Sequence, residues 1–214
     1  MKLFTYFRSS AAYRVRIALN YKGIPHGTVP VHLLRDGGQQ HSESYRELNP
    51  QGLVPALADD SQVFAQSLAI IEYLEETHPE PSLLPPDYAG RAQVRAMALG
   101  IACDVHPLNN SRVLKYLRET LGQGDEPVAE WIRHWIGLGF RALEELARRY
   151  GDGRHYLHGD RVTLADVCLV PQMYNARRYY CDLTPYPALV AIDAHLASLP
   201  AFAAARPEVQ ADAE

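Results

Sequence analysis

Cysteine is scarce in this chain of 214 residues: Cys103, Cys168 and Cys181 are all there are. They are odd in number, far apart and in no CxxC pair, which argues against a disulfide framework and against a zinc site and points to a reducing compartment. Long apolar runs are also missing. No window reaches the roughly 18 apolar residues of a membrane span. The stretch from Met1 to Leu19 lacks the apolar core and small-residue cleavage site of a signal peptide, and its arginines arrive too early, so the chain reads as cytoplasmic with no membrane partner.

Blocks of like charge are absent as well. Lys plus Arg number 21 against 25 Asp plus Glu, a net charge of −4 with no basic stripe, so nucleic acid is not expected as a partner. With 14 glycines and 15 prolines, collagen-like and low-complexity classes are excluded. What remains is an ordinary globular composition, 47% apolar, enough for one or two domains.

The first 80 residues read as βαβαββα. Residues 2–7 are rich in strand formers, and Arg8-Ser9-Ser10 then makes a turn and a helix cap before helical spacing through Val15, Ala18 and Leu19. Gly23 and Pro25 stop that helix. A strand over 28–33, a weak helix over 42–48 and strands over 53–57 and 62–64 follow, and Ser67 opens a helix to His78. Pro55 has no N–H to give a central strand, so it belongs at a strand start, where a cis bond is plausible. Residues 79–86 hold four prolines and read as a linker. Beyond it, helical periodicity runs over 90–121, 128–150, 163–180 and 187–199, predicting an all-helical second domain over 87–214 with a polar tail from Arg206 that frays.

Two features of the first domain suggest chemistry. Ser9 and Ser10 stand where a helix presents unpaired N–H groups and the positive end of its dipole, a place for an anion. Gln66-Ser67 repeats the arrangement after a strand, with Ile70, Ile71 and Leu74 as the buried face. Each taken alone is also an ordinary helix cap.

The stretch SSAAYRVRIAL over 9–19, Val54-Pro55, QSLAIIEYLEE over 66–76, LADVCLVP over 164–171 and DLTPYP over 182–187 together resemble zeta-class glutathione transferases, the maleylacetoacetate isomerase family. The resemblance implies a thioredoxin-like N-terminal domain over 1–80, a helical C-terminal substrate domain over 87–214, glutathione as cofactor and a homodimer. It implies that Ser9 and Ser10 hold the glutathione thiolate. Gln40, Val54, Gln66 and Ser67 would hold its peptide, with His106 and Asn110 also reaching the cofactor. The family pattern has cysteine after the serine pair where this chain has Ala11, which leaves the glutathione sulfur as the nucleophile.

The reaction so implied is cis–trans isomerisation of a doubly carboxylated diketo acid, and it needs no metal. Its carboxylates need cations: Arg8 adjoins the serines, and His106, Asn109, Asn110 and Arg112 interrupt a helical segment, with Arg178 ending another. His106, Asn109, Asn110 and Arg112 resemble the maleylpyruvate isomerase branch, and Arg8, His106, Asn109, Arg112 and Arg178 are the expected substrate contacts. A general glutathione transferase and a non-catalytic binding module are the remaining alternatives. Thr163 to Asp166 reads as a capping box, which assigns Asp166 to structure.

Overall fold

The computed structural model describes all residues from Met1 to Glu214 and divides into two compact units, 1–82 with 199–214, and 83–198. In the first, β1 (Lys2–Thr5) lies at the centre of a four-stranded sheet of order β2-β1-β3-β4. It pairs in parallel with β2 (Gly27–Pro30) and antiparallel with β3 (Ala56–Asp59), which pairs antiparallel with β4 (Gln62–Ala65). A parallel neighbour requires a crossover, and α1 (Ser10–Tyr21) supplies it. A short α2 (Glu43–Leu48) and α3 (Ser67–Thr77) complete a thioredoxin-like unit. β1 and β2 end sooner than predicted, β3 begins three residues later, at Ala56, and β4 runs one residue further, to Ala65.

Gly23, at φ 65°, closes α1 as its position predicts. Val15, Ala18 and Leu19 are fully buried, but so are Arg14 and Arg16, at 1% and 2% exposure. Arg16 is sheltered by backbone oxygens. It donates to the carbonyls of Tyr6, Phe7 and Ala205 and to the Thr5 hydroxyl. Burial lowers its pKa to about 10, against the upward pull of Tyr13 and Asp212.

That bond to Ala205 belongs to a correction. Residues 199–214 pack with the first unit, where the sequence reading counted them in the helical domain and expected a frayed tail. Helix α9 (Pro200–Ala203) lies on α1, with Asn20 donating to the Ala201 carbonyl, and the tail beyond it is hydrogen-bonded to Phe7, His32 and Arg35. Polar composition suggested solvent, yet these side chains serve as acceptors for buried donors.

The second unit is helical: α4 (Tyr88–Leu99), α5 (Ser111–Glu119), α6 (Asp125–Tyr150), α7 (Leu164–Arg178) and α8 (Pro187–Ser198). The stretch over 90–121 is not continuous. Between α4 and α5 the chain widens into a π turn over Gly100–Val105 and tightens into a 3₁₀ turn over His106–Asn109, with Pro107 inside it. Nearly all of α7 is buried, as expected of a central helix that is apolar on most sides. The predicted capping box starts it: the Asp166 carboxylate accepts from the Thr163 N–H at 2.7 Å, the Thr163 hydroxyl at 2.9 Å and the Leu157 N–H at 2.8 Å. Cys168 has no exposed surface, Cys103 is exposed on the π turn, and Cys181 is half-buried with its thiol pushed up by burial. No helix is long and apolar enough to cross a membrane.

Candidate active site

Ser9 is the N-cap of α1, with φ −70° and ψ 115°, and its Oγ accepts from the Ala12 N–H at 3.2 Å. A hydroxyl that accepts through oxygen keeps its own hydrogen to donate, so the capping role leaves Ser9 able to hydrogen-bond an anion. Ser10, buried, is the first helical residue, and its N–H is among those a helix leaves unpaired. Arg8 sits on the same turn, donating to the Tyr6 hydroxyl at 3.0 Å with its guanidinium 5.0 Å from the Phe7 ring centre. Those two contacts hold its guanidinium against the Tyr6 and Phe7 side chains.

At the start of α3 the cap position belongs to Gln66, held at φ 69°, and its side chain makes no capping bond. A left-handed backbone at a non-glycine residue is a strained arrangement that surrounding structure must hold. Its amide donates to Gln51 Oε1 at 2.8 Å. Ser67 is therefore not a cap. It is buried, and its Oγ accepts from Arg14 Nη1 at 3.3 Å. The α3 N-terminus thus combines helix N–H groups, a hydroxyl and a buried guanidinium, a setting for a carboxylate.

Val54 lies two residues outside the sheet, whose pairs begin at Ala56, and a cis peptide joins it to Pro55. The peptide groups just before the ladder are placed to pair with an extended ligand. The loop carrying Gln40 comes close by: a Cβ added to Gly52, which has φ 60°, would stand 3.2 Å from the Gln40 carbonyl. Gln40 is buried, donates to the Leu33 carbonyl at 3.4 Å, and its Oε1 has no partner. An orphaned buried acceptor beside a free strand end fits a peptide ligand with N–H groups, and glutathione has them. So Arg8, Ser9, Ser10, Gln40, Val54, Gln66 and Ser67 all belong to the first unit, at the loops and helix starts around β1 and β3.

The other expected contacts lie in the second unit. His106 begins the 3₁₀ turn. Asn109 is buried, its amide turned back to the Val105 carbonyl at 3.2 Å. Asn110 caps α5 by accepting from the Arg112 N–H, and Arg112 is exposed in the first turn of that helix. Arg178 is exposed at the end of α7, 5.3 Å from the Tyr179 ring centre, while the neighbouring Arg177 is tied to Asp193 at 2.6 Å.

Sequence reasoning did not find Arg14 and Arg16. A usable signal was present: two arginines in the apolar run of α1 with no acidic residue on that helix to pair with, so their charge is answered from elsewhere in the fold.

Comparison with known proteins identifies the family. Residues 3–82 match the family described as glutathione S-transferase, N-terminal domain, and residues 129–204 the corresponding C-terminal domain. A probable maleylacetoacetate isomerase of Vibrio cholerae is 53% identical over 99% of this chain and 97% of its own. A holo structure of maleyl pyruvate isomerase, described as a bacterial glutathione transferase of the zeta class, superposes with a TM-score of 0.97 at 47% identity over the whole of both chains. A maleylacetoacetate isomerase from Anaeromyxobacter dehalogenans, solved with dicarboxyethyl glutathione and citrate in its active site, has a TM-score of 0.86 at 42% identity, covering 100% of this chain and 97% of that one. With both halves matched, and a serine pair at the start of α1 in place of any protein thiol, this chain belongs to the zeta class of the glutathione S-transferase family.

Proposed function

We infer that the enzyme is a glutathione-dependent cis–trans isomerase converting maleylacetoacetate to fumarylacetoacetate. The observation that carries this reading is Ser9: one hydroxyl accepts from the helix and retains a proton to donate, on the same turn as Arg8. Bound glutathione supplies a thiolate that adds to the cis double bond, leaving a rotatable single bond, and departs from the trans isomer.

The residues serve that chemistry in separable ways. A free thiol with a pKa near 8.5 is only a few per cent ionised at neutral pH, and lowering it by about two units takes roughly 2.7 kcal/mol. The α1 dipole gives about 0.3–1 kcal/mol, which is too little. A hydroxyl donating to the charged sulfur gives about 1.5–3 kcal/mol and closes the gap, so Ser9 outweighs the helix it caps. Ser10 adds its N–H. Gln66 and Ser67, backed by Arg14, take the γ-glutamyl carboxylate, Val54 pairs with the cysteinyl peptide, and Gln40 accepts through its orphaned oxygen. Arg8 neutralises a substrate carboxylate and the charge that develops toward the adjacent carbonyl. His106, Asn109, Arg112 and Arg178 complete the substrate side, with His106 and Asn110 toward the cofactor.

Maleylpyruvate is the second reading, favoured by His106 and Arg112 on the turn between α4 and α5. The same reading carries a homodimer in the cytoplasm, with the boundary between the two domains in the proline-rich linker. Isomerisation of maleylacetoacetate and of maleylpyruvate, each with and without glutathione, tests the assignment. Turnover of the former, dependent on glutathione, is expected; equal rates without glutathione, or no turnover of either acid, would reject it.

A further inference from the structure

The turn that presents Arg8 and Ser9 is held from outside its own sequence. Both polar groups of Phe7, itself 4% exposed, are bound: its N–H donates to Asp212 Oδ2 at 2.9 Å, and its carbonyl accepts from Arg16 Nη2 at 2.9 Å. Arg16 also donates to the Tyr6 carbonyl and, through Nε, to the carbonyl of Ala205 at 3.1 Å. The Ser9 N–H then donates back to the Tyr6 carbonyl at 3.0 Å. The peptide groups on both sides of Phe7 are thus fixed between a buried guanidinium and a carboxylate that arrives from 205 residues away in sequence.

The tail delivering that carboxylate has its own anchor. His32 Nδ1 accepts from the N–H groups of Leu34 and Arg35, at 3.1 and 2.8 Å, which puts the imidazole proton on Nε2. Nε2 then donates to Glu214 Oε1 at 3.2 Å, and the Arg35 guanidinium binds the same oxygen. Nothing in the reading of the site requires residues 206–214. The cost of ordering nine terminal residues is offset by the bonds of Glu214 to His32 and Arg35 and by the one bond, from Phe7 to Asp212, that reaches the turn carrying the proposed thiolate donor.

We propose that Asp212 is a positioning residue for catalysis: by accepting the Phe7 N–H opposite Arg16, it sets the turn so that Ser9 and Arg8 stand in register with the bound thiolate. The effect falls on the sulfur and on turnover rather than on holding the peptide of glutathione, since Gln40, Val54, Gln66 and Ser67 lie on other segments.

This inference rests on the isomerase reading, and the test separates the two. Asp212→Ala is expected to raise the pKa of the bound glutathione thiol by about one unit and to lower kcat about tenfold, while the Kd for glutathione, measured below about pH 6 where the thiol is protonated both free and bound, stays within about twofold. Asp212→Asn, which retains an oxygen for the Phe7 N–H, should restore kcat to within about threefold. Glu214→Gln, which loosens the anchor alone, should move thiol pKa and kcat in the same direction by less. Asp212→Ala with the wild-type thiol pKa and kcat, whatever its Tm, overturns the proposal, as does an Asn variant no better than the Ala variant. A wild-type enzyme that binds glutathione but isomerises neither acid overturns the isomerase reading instead.

Discussion

Arg14 and Ser67 meet inside the first unit, Nη1 to Oγ at 3.3 Å, and so join the middle of α1 to the first turn of α3. The guanidinium is 1% exposed, and its charge is felt at the α3 N-terminus with little screening by water. Ser67→Ala removes the hydroxyl between that charge and the proposed γ-glutamyl site. The Kd for glutathione is expected to rise about tenfold, equivalent to about 1.4 kcal/mol, with kcat at saturating glutathione little changed. Titration calorimetry reads the first and steady-state kinetics the second; an unaltered Kd would remove Ser67 from the site.

Ser9 caps a helix and is the proposed donor to the sulfur, and two substitutions pull these roles apart. Ser9→Ala should cost about 1 kcal/mol of stability through the lost cap and raise the bound thiol pKa. Ser9→Asp keeps a capping acceptor, so stability returns, but its carboxylate cannot donate to a thiolate and repels it. Urea melts combined with ultraviolet titration of the thiolate check both, and a wild-type titration curve in either variant would rule Ser9 out as the donor.

Burial pushes the Asp166 carboxyl from the ordinary 3.8 up to about 7, against the pull of three donors on its oxygens. A folded-state value above the unfolded one means that the native chain holds this proton more strongly. Its contribution is therefore fully present below pH 3.8 and lost as pH rises through 7. Compared with Asp166→Asn in urea unfolding, the wild type's advantage should narrow across that window. A gap that stays constant or widens would mean that the three donors hold the group ionised.

Lys22 is buried together with Glu75. Its ammonium, with no exposed side-chain surface, donates to Glu75 Oε2 at 2.7 Å and to the carbonyls of His78 and Pro81 at 2.7 and 3.0 Å, using all three hydrogens. Lys22→Met leaves a buried carboxylate without its counter-ion and should cost about 3–5 kcal/mol. The double variant Lys22→Met/Glu75→Leu should recover most of that loss. Chemical denaturation decides it, and a double variant as unstable as the single one would show that the carbonyl bonds, not the charge pair, carry the interaction.

Much of the fold was legible because its signals are local. Gly23 ends α1, Val54-Pro55 is cis, and Thr163 with Asp166 begins α7, each through residues adjacent in sequence. The two serine-bearing helix starts were legible for the same reason, though not the difference between them. Ser9 caps and Ser67 does not, because Gln66 takes the cap position with a left-handed backbone that its residue type does not announce. Hidden altogether were the long-range ties. Hydrophobic patterning places arginine at the surface, so Arg14 and Arg16 were invisible as interior residues, and nothing marked the half-buried Asp212 as an acceptor for Phe7; Ser67 lies 53 positions from Arg14 and Phe7 205 from Asp212, and Arg16 is held by backbone carbonyls with no sequence signature and by the Thr5 hydroxyl. The break between α4 and α5 was visible at Pro107, but its widening into a π turn was not.

The scarcity of cysteine has a practical side once the three are located. A maleimide dye at neutral pH meets Cys103 first, because Cys168 has no exposed surface and the half-buried Cys181 thiol is held up by its surroundings. Cys103 lies on the π turn, three residues ahead of His106. Without an engineered residue, a fluorophore on Cys103 would sit beside the proposed substrate contact His106, where a change in emission on adding ligand can be read independently of turnover.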